Sequence, residues 1–253
     1  MYIRSMQLVI DIGNTRIKVA FFQNNEVKNF FLVTSVDELI NATWFTDTKI
    51  EYALISSVAQ YPENLIEIIK QKTTLVIFSA TTPVPLVNKY KTAHTLGSDR
   101  LAAAVGGNFI FPNTNLLVID AGTCLKYNFV NAQNEFLGGG ISPGLQMRFN
   151  ALHNFTAKLP LQDFEKNIPP LVGTDTTSSI LSGVQNGILA EVEGIIHQYK
   201  EQYPNLKTIL TGGDGDFFAK QLKNSIFADP FLVQKGLNII LNHNFNTQNI
   251  EKK

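Results

Sequence analysis

The stretches Val9-Ile10-Asp11-Ile12-Gly13-Asn14-Thr15-Arg16-Ile17-Lys18 and Val118-Ile119-Asp120-Ala121-Gly122-Thr123-Cys124-Leu125-Lys126 carry the fold. Each is an apolar run ending in aspartate, then a glycine turn, then a second apolar run that bears a lysine. The aspartates lie 120 − 11 = 109 positions apart, and the second copy has one turn residue fewer. A single hairpin of this kind arises readily by chance. Two of them in one chain, each closing a Val-Ile-Asp strand, point to a duplicated unit. Each copy opens a three-stranded meander: residues 7–11, 16–22 and 27–33 in the first, and 116–120, 124–130 and 135 onward in the second. Helices and strands alternate after each meander. The expected fold is therefore α/β, with two like halves, residues 1–114 and 115–253, facing each other across a cleft.

Working outward, residues 63–72 carry leucine and isoleucines at helical spacing, and residues 98–105 read as a helix capped by Ser98. The segment 79–96 is polar, holds two prolines and reads as a loop. Helices are expected over 143–153 and 176–199, the latter with Ile180, Val184, Ile188, Val192 and Ile195 along one stripe and Gly183, Gly187 and Gly194 close together. A strand over 206–210 leads into Thr211-Gly212-Gly213-Asp214-Gly215, and a last helix is expected over 231–242.

The chain of 253 residues has 21 basic and 21 acidic side chains. That balance argues against nucleic acid or an anionic membrane as the main partner, because both require a basic face. One cysteine, Cys124, rules out an intrachain disulfide and fits a reducing compartment. No apolar run approaches the roughly 18 residues of a membrane span. A cytoplasmic protein is expected.

The repeated turn suits phosphate chemistry. A glycine after a strand lets backbone N–H groups approach phosphate oxygens. Asn14, Thr15 and Thr123 add neutral donors, while Asp11 and Asp120 can hold a cation that bridges to phosphate. Lys18 either neutralises phosphate or is an outward-facing strand lysine. Gly97-Ser98-Asp99-Arg100 opens a helix, and two roles fit Asp99. It is a first-turn residue favoured by the helix dipole, or a general base beside an arginine that binds an anionic substrate group. The Gly212-Gly213 turn leaves bare backbone for a nucleoside. The Gly-x-x-x-x-Gly-Lys-Ser/Thr signature is absent. His94, His153, His197 and His243 show no metal-ligand spacing, and Cys124 reads as a small buried residue.

Five motifs occur in the order characteristic of type III pantothenate kinases: residues 11–18 (DIGNTRIK), 97–100 (GSDR), 120–123 (DAGT), 138–144 (GGGISPG) and 173–176 (GTDT). The chain resembles that family over almost its whole length. The resemblance implies two ribonuclease-H-like domains, a homodimer, and transfer of the ATP γ-phosphate to the primary hydroxyl of pantothenate, the first step toward coenzyme A. It implies that Asp11, Ile12, Gly13, Asn14, Thr15, Arg16, Ile17 and Lys18 form the ATP phosphate loop, with Thr123 a further ATP contact. Asp99 matches the proton acceptor, and Gly97, Ser98, Asp99 and Arg100 line the pantothenate pocket that Tyr90 helps to close. Asp120 matches the ligand of a monovalent cation, potassium or ammonium. Thr176 matches a substrate contact that reaches the partner subunit's site. ATP enters with magnesium. The sequence departs from the family's usual pattern at Cys124, often alanine, and at Ala93, often proline. Two other readings stay open: a non-enzymatic, nucleotide-binding transcriptional accessory factor, and a kinase of the same fold for another small hydroxyl compound.

Overall fold

The computed structural model describes residues 6–13, 15–57, 62–224 and 226–250. In chain order the elements are β1 (Met6–Ile12), β2 (Ile17–Gln23), β3 (Glu26–Val33), α1 (Val36–Ile40), α2 (Thr43–Thr46), β4 (Ile50–Ser57), α3 (Glu63–Lys72), β5 (Thr74–Ile77), β6 (Val87–Asn88), α4 (Ser98–Ile110), β7 (Leu116–Ala121), β8 (Cys124–Val130), β9 (Glu135–Pro143), α5 (Leu145–Asn154), α6 (Thr176–Gln202), β10 (Lys207–Thr211), α7 (Gly215–Gln221), β11 (Phe227–Ala228) and α8 (Leu232–Ile250). The segment expected as a plain loop holds the two-residue β6 and a 3-10 turn at Ala93–Thr95.

The chain forms two compact units, Met1–Ile110 with Phe231–Lys253, and Phe111–Pro230. In the first the strand order is β3-β2-β1-β4-β5. Strands β1, β2 and β3 pair antiparallel, and β4 and β5 join in parallel to β1. In the second unit the order is β9-β8-β7-β10-β11, with β7, β8 and β9 antiparallel and β10 and β11 parallel to β7. The duplication expected from the two hairpins is thus a duplication of strand order and direction.

Strand alternation sorts the side chains. Leu8, Ile10 and Ile12 of β1 point into a cluster with Leu39, Phe45, Leu65 and Ile69 of α1, α2 and α3. Asp11 therefore points to the opposite face. In the second unit Leu117, Ile119 and Ala121 of β7 meet Leu145 and Phe149 of α5, Ile180 and Ile188 of α6, and Phe217 and Phe218 of α7. Asp120 again takes the other face. Along α6 the buried stripe ends on Ile196, with Ile195 only partly buried.

The last helix departs from the expected halves. α8 packs along α4 and over β1 and β4 in the first unit, whereas the sequence placed residues 231–253 with the second half. Gly106 and Gly236 are the physical reason. A Cβ at Gly236 would stand 1.8 Å from the Ala102 carbonyl oxygen, and one at Gly106 would stand 2.5 Å from that of Leu232. The helices cross backbone on backbone, and nothing near in sequence signals it. Asn238 Nδ2 also donates to Asn25 Oδ1 at 3.0 Å, tying α8 to the β2–β3 turn.

Replacing Gly236 by alanine forces this crossing apart. The expected cost is about 1–3 kcal/mol of stability, read as a lower urea midpoint. An unchanged midpoint would show that the two helices do not pack this closely.

Candidate active site

In the first unit the repeated aspartate lies at the end of β1 and is buried, at 5% exposure. Asp11 pairs in register with Lys18 across the antiparallel hairpin, so both project from the same face. The turn between them is closed by Gly13 N–H donating to the Arg16 carbonyl at 3.1 Å. Ile12 and Ile17 are core residues, so only their backbone can serve a ligand. Thr15 and Arg16 are exposed, and Asn14 lies outside the described residues.

On the other side of β1, Ser56 of β4 is the parallel partner of Asp11. Ser56 is fully buried, and its hydroxyl donates to Ser98 Oγ at 2.8 Å. One hydrogen bond therefore fastens the start of α4 to the strand end beside Asp11. Ser98 is itself the first helical residue and is held by Ser56; it is not the preceding cap that the sequence suggested. Asp99 Oδ1 accepts the Arg100 N–H at 2.8 Å. A Cβ at Gly97 would stand 2.7 Å from that same oxygen, so glycine leaves the carboxylate room. Arg100 is 4% exposed, with its guanidinium 5.5 Å from the Tyr90 ring centre. Tyr90 and the Gly97–Arg100 motif are thus brought together, with Asp11 and Lys18 at the neighbouring strand end.

In the second unit Asp120 is the counterpart, 7% exposed and opposite Lys126 in register. Lys126 Nζ donates to Asp120 Oδ2 at 3.0 Å. Two further glycine motifs close on this strand end. Gly212, at φ +97°, would place a Cβ 2.2 Å from the Ala121 carbonyl oxygen, and Asp214 N–H donates to that oxygen at 2.9 Å. Gly144 would place a Cβ 2.1 Å from the Gly122 carbonyl oxygen, and its N–H donates to Thr123 O at 3.2 Å. The three motifs meet as bare backbone, with Thr123 exposed between them. Cys124 is half-buried rather than enclosed. Burial raises the pKa of Asp214, and the charge of Asp120 adds to the rise. Two carboxylates and one ammonium are thus gathered at this strand end. Among the described residues no group of three His, Cys, Asp or Glu side chains could hold a metal by itself.

Thr176 begins α6 behind its N-cap Asp175, whose carboxylate accepts Ser178 N–H at 3.0 Å. Thr176 lines a cavity of about 650 Å³ with Leu152, Leu159, Gly173, Thr174 and Ser179. The cavity belongs wholly to the second unit.

The profile of the type III pantothenate kinase family matches residues 7–198. A type III pantothenate kinase from Christiangramia forsetii is 43% identical over 241 residues, covering 94% of this chain and 99% of its own. The chain belongs to the type III pantothenate kinase family. Among solved structures, a Campylobacter jejuni protein described as a Baf family transcriptional activator aligns with TM-score 0.61 at 22% identity, over 94% of this chain and 99% of its own. The ADPNP-bound activator of 2-hydroxyisocaproyl-CoA dehydratase from Clostridium difficile aligns with TM-score 0.55 at 13% identity, over 98% of each chain. These two likenesses concern the fold.

Sequence reasoning about this pantothenate kinase family member missed Ser56, hidden in an apolar strand, and a polar group behind the Gly122–Thr123 turn. There Tyr127 Oη donates to Glu191 Oε1 at 3.0 Å, and Arg148 Nη2 donates to Glu191 Oε2. Burial raises the Tyr127 pKa first, and the neighbouring Glu191 charge raises it further. For Glu191 burial acts upward, but hydrogen bonds from Arg148, Ser142 and Tyr127 outweigh it and bring the carboxyl below its ordinary 4.5. A lowered pKa means stability that is present above the ordinary value and lost as pH falls through the folded one. Wild type should thus lose more stability than Glu191→Gln between about pH 6 and about pH 3.5, measured by urea unfolding. Equal losses would remove Glu191 from the acid response.

Proposed function

We propose that this chain phosphorylates the primary hydroxyl of pantothenate with MgATP, the first step toward coenzyme A. The observation that carries the reading is the Ser56–Ser98 hydrogen bond. It sets a helix start bearing an acid and an arginine beside the Asp11 strand end. A phosphate loop and an acceptor-activating group on one rigid support are what phosphoryl transfer requires, because its catalysis is mainly positioning and charge stabilisation.

On this reading residues 11–18 bind the triphosphate, through the backbone N–H groups of the turn and the Lys18 charge. Thr123 contributes from the second unit. Gly97, Ser98 and Arg100 hold pantothenate, with Tyr90 against the arginine. The Arg100 guanidinium receives the substrate carboxylate, and Asp99 accepts the hydroxyl proton as the oxygen attacks the γ-phosphorus. Thr176 adds a substrate contact. Magnesium on the triphosphate spreads charge from the transferring group. Asp120, with Asp214 near it, would hold a potassium or ammonium ion. The proposal extends to two ribonuclease-H-like domains with a nucleotide cleft between them, divided between residues 114 and 115 except that α8 packs on the first, to a homodimer and to a cytoplasmic location. Consistent with the last, no helix among the described residues is long and apolar enough to cross a membrane.

Asp99→Asn removes the proton acceptor and keeps the side chain's size. Pantothenate phosphorylation should fall by about 10²-fold or more with folding intact by circular dichroism. Full activity in the variant would remove Asp99 from the mechanism and with it this assignment of the acceptor site.

A further inference from the structure

The polar group behind the Gly122–Thr123 turn has no part in the chemistry above, yet it leads straight to it. Arg148 of α5 is its hub. Arg148 Nε donates to the Pro143 carbonyl at 2.9 Å, and Nη2 donates to Ser142 Oγ at 2.9 Å as well as to Glu191 Oε2. The guanidinium therefore grips the last two residues of β9 from one side and a carboxylate of α6 from the other. Glu191 is fixed in turn by the Tyr127 hydroxyl of β8. The residue that follows Pro143 is Gly144, whose N–H holds the Thr123 carbonyl. No side chain lies between them to absorb a displacement, because even a Cβ on Gly144 would collide with the Gly122 carbonyl oxygen. Any shift of residues 142–144 is passed on to Gly122 and Thr123 as backbone motion.

We propose that Arg148, oriented by Glu191, is a positioning residue that sets the Gly122–Thr123 turn for the nucleotide phosphates. The inference rests on the reading of Thr123 as an ATP contact. Arginine suits the task where lysine does not. Its planar fork reaches a backbone carbonyl, a serine hydroxyl and a carboxylate at once, and a lysine ammonium offers a single point. The ion pair is only partly screened, with about a fifth to a quarter of each side chain exposed (22% and 26%). It can therefore hold geometry at physiological ionic strength.

The test uses the full chain, with MgATP binding measured by calorimetry without pantothenate and steady-state constants measured beside it. Arg148→Met should weaken MgATP binding and raise the KM for ATP by about tenfold or more, with the KM for pantothenate little changed. Arg148→Lys should not restore them, since charge without the fork cannot hold Ser142 and Pro143 together. Glu191→Gln keeps size and shape and should move the same constants in the same direction, which secures the result should Arg148→Met fold poorly. Wild-type nucleotide affinity in these variants, whatever happens to their melting temperature, would overturn the inference, as would full rescue by lysine. A wild-type chain that binds MgATP yet leaves pantothenate unphosphorylated would sink the proposed reaction and leave this binding comparison intact.

Discussion

A carboxylate buried at the end of a central strand is costly unless a positive charge compensates it. In the second unit Lys126, directly across the hairpin, supplies that charge, and in the first unit Lys18 occupies the matching position opposite Asp11. Asp120 and Lys126 are bonded at 3.0 Å, and Asp11 and Lys18 hold the equivalent register. The requirement fixes more than a pair of charges. A slip of one residue would swing each aspartate into the apolar cluster on the other face of its sheet, so the pairing register of β1 with β2 and of β7 with β8 is strongly specified. The glycine of each turn closes the hairpin through its own N–H, donated to the Arg16 carbonyl in the first unit and to the Cys124 carbonyl in the second.

The remaining site features are attached to those two strand ends. In the first unit Ser56, the neighbour of Asp11 in β4, reaches the first residue of α4 and so places Asp99 and Arg100. In the second, Gly144 and Gly212 press their backbones onto residues 121–123. One architecture is used twice with different attachments: a helix bearing an aspartate and an arginine in the first unit, and two glycine turns in the second.

Much of this was legible in the sequence because it repeats. The Val-Ile-Asp ends, the glycine turns and the lysines gave the meanders and the two like halves, and the motif order gave the family. The unread parts depend on contacts distant in sequence. α8 returns to the first unit through Gly106 and Gly236, which lie 236 − 106 = 130 positions apart and look like ordinary helix glycines. Ser56 sits inside an apolar strand, where a serine reads as filler. Arg148 and Glu191 lie on two amphipathic helices whose polar positions read as solvent-facing. Cys124 was expected to be enclosed, but the turn before it leaves it half-exposed at the strand end. Periodicity assigns a residue to a face; it does not say which polar residue on that face finds a partner.

The central claim is that this chain transfers a phosphoryl group from ATP to pantothenate. The most direct measurement is ADP release by the purified chain from MgATP, with and without pantothenate, in potassium buffer, with the phosphorylated product identified by mass. The account predicts slow release alone and strong stimulation by pantothenate, with one phosphopantothenate formed per ADP. Tight nucleotide binding with no stimulation would contradict it and favour a nucleotide-dependent regulator.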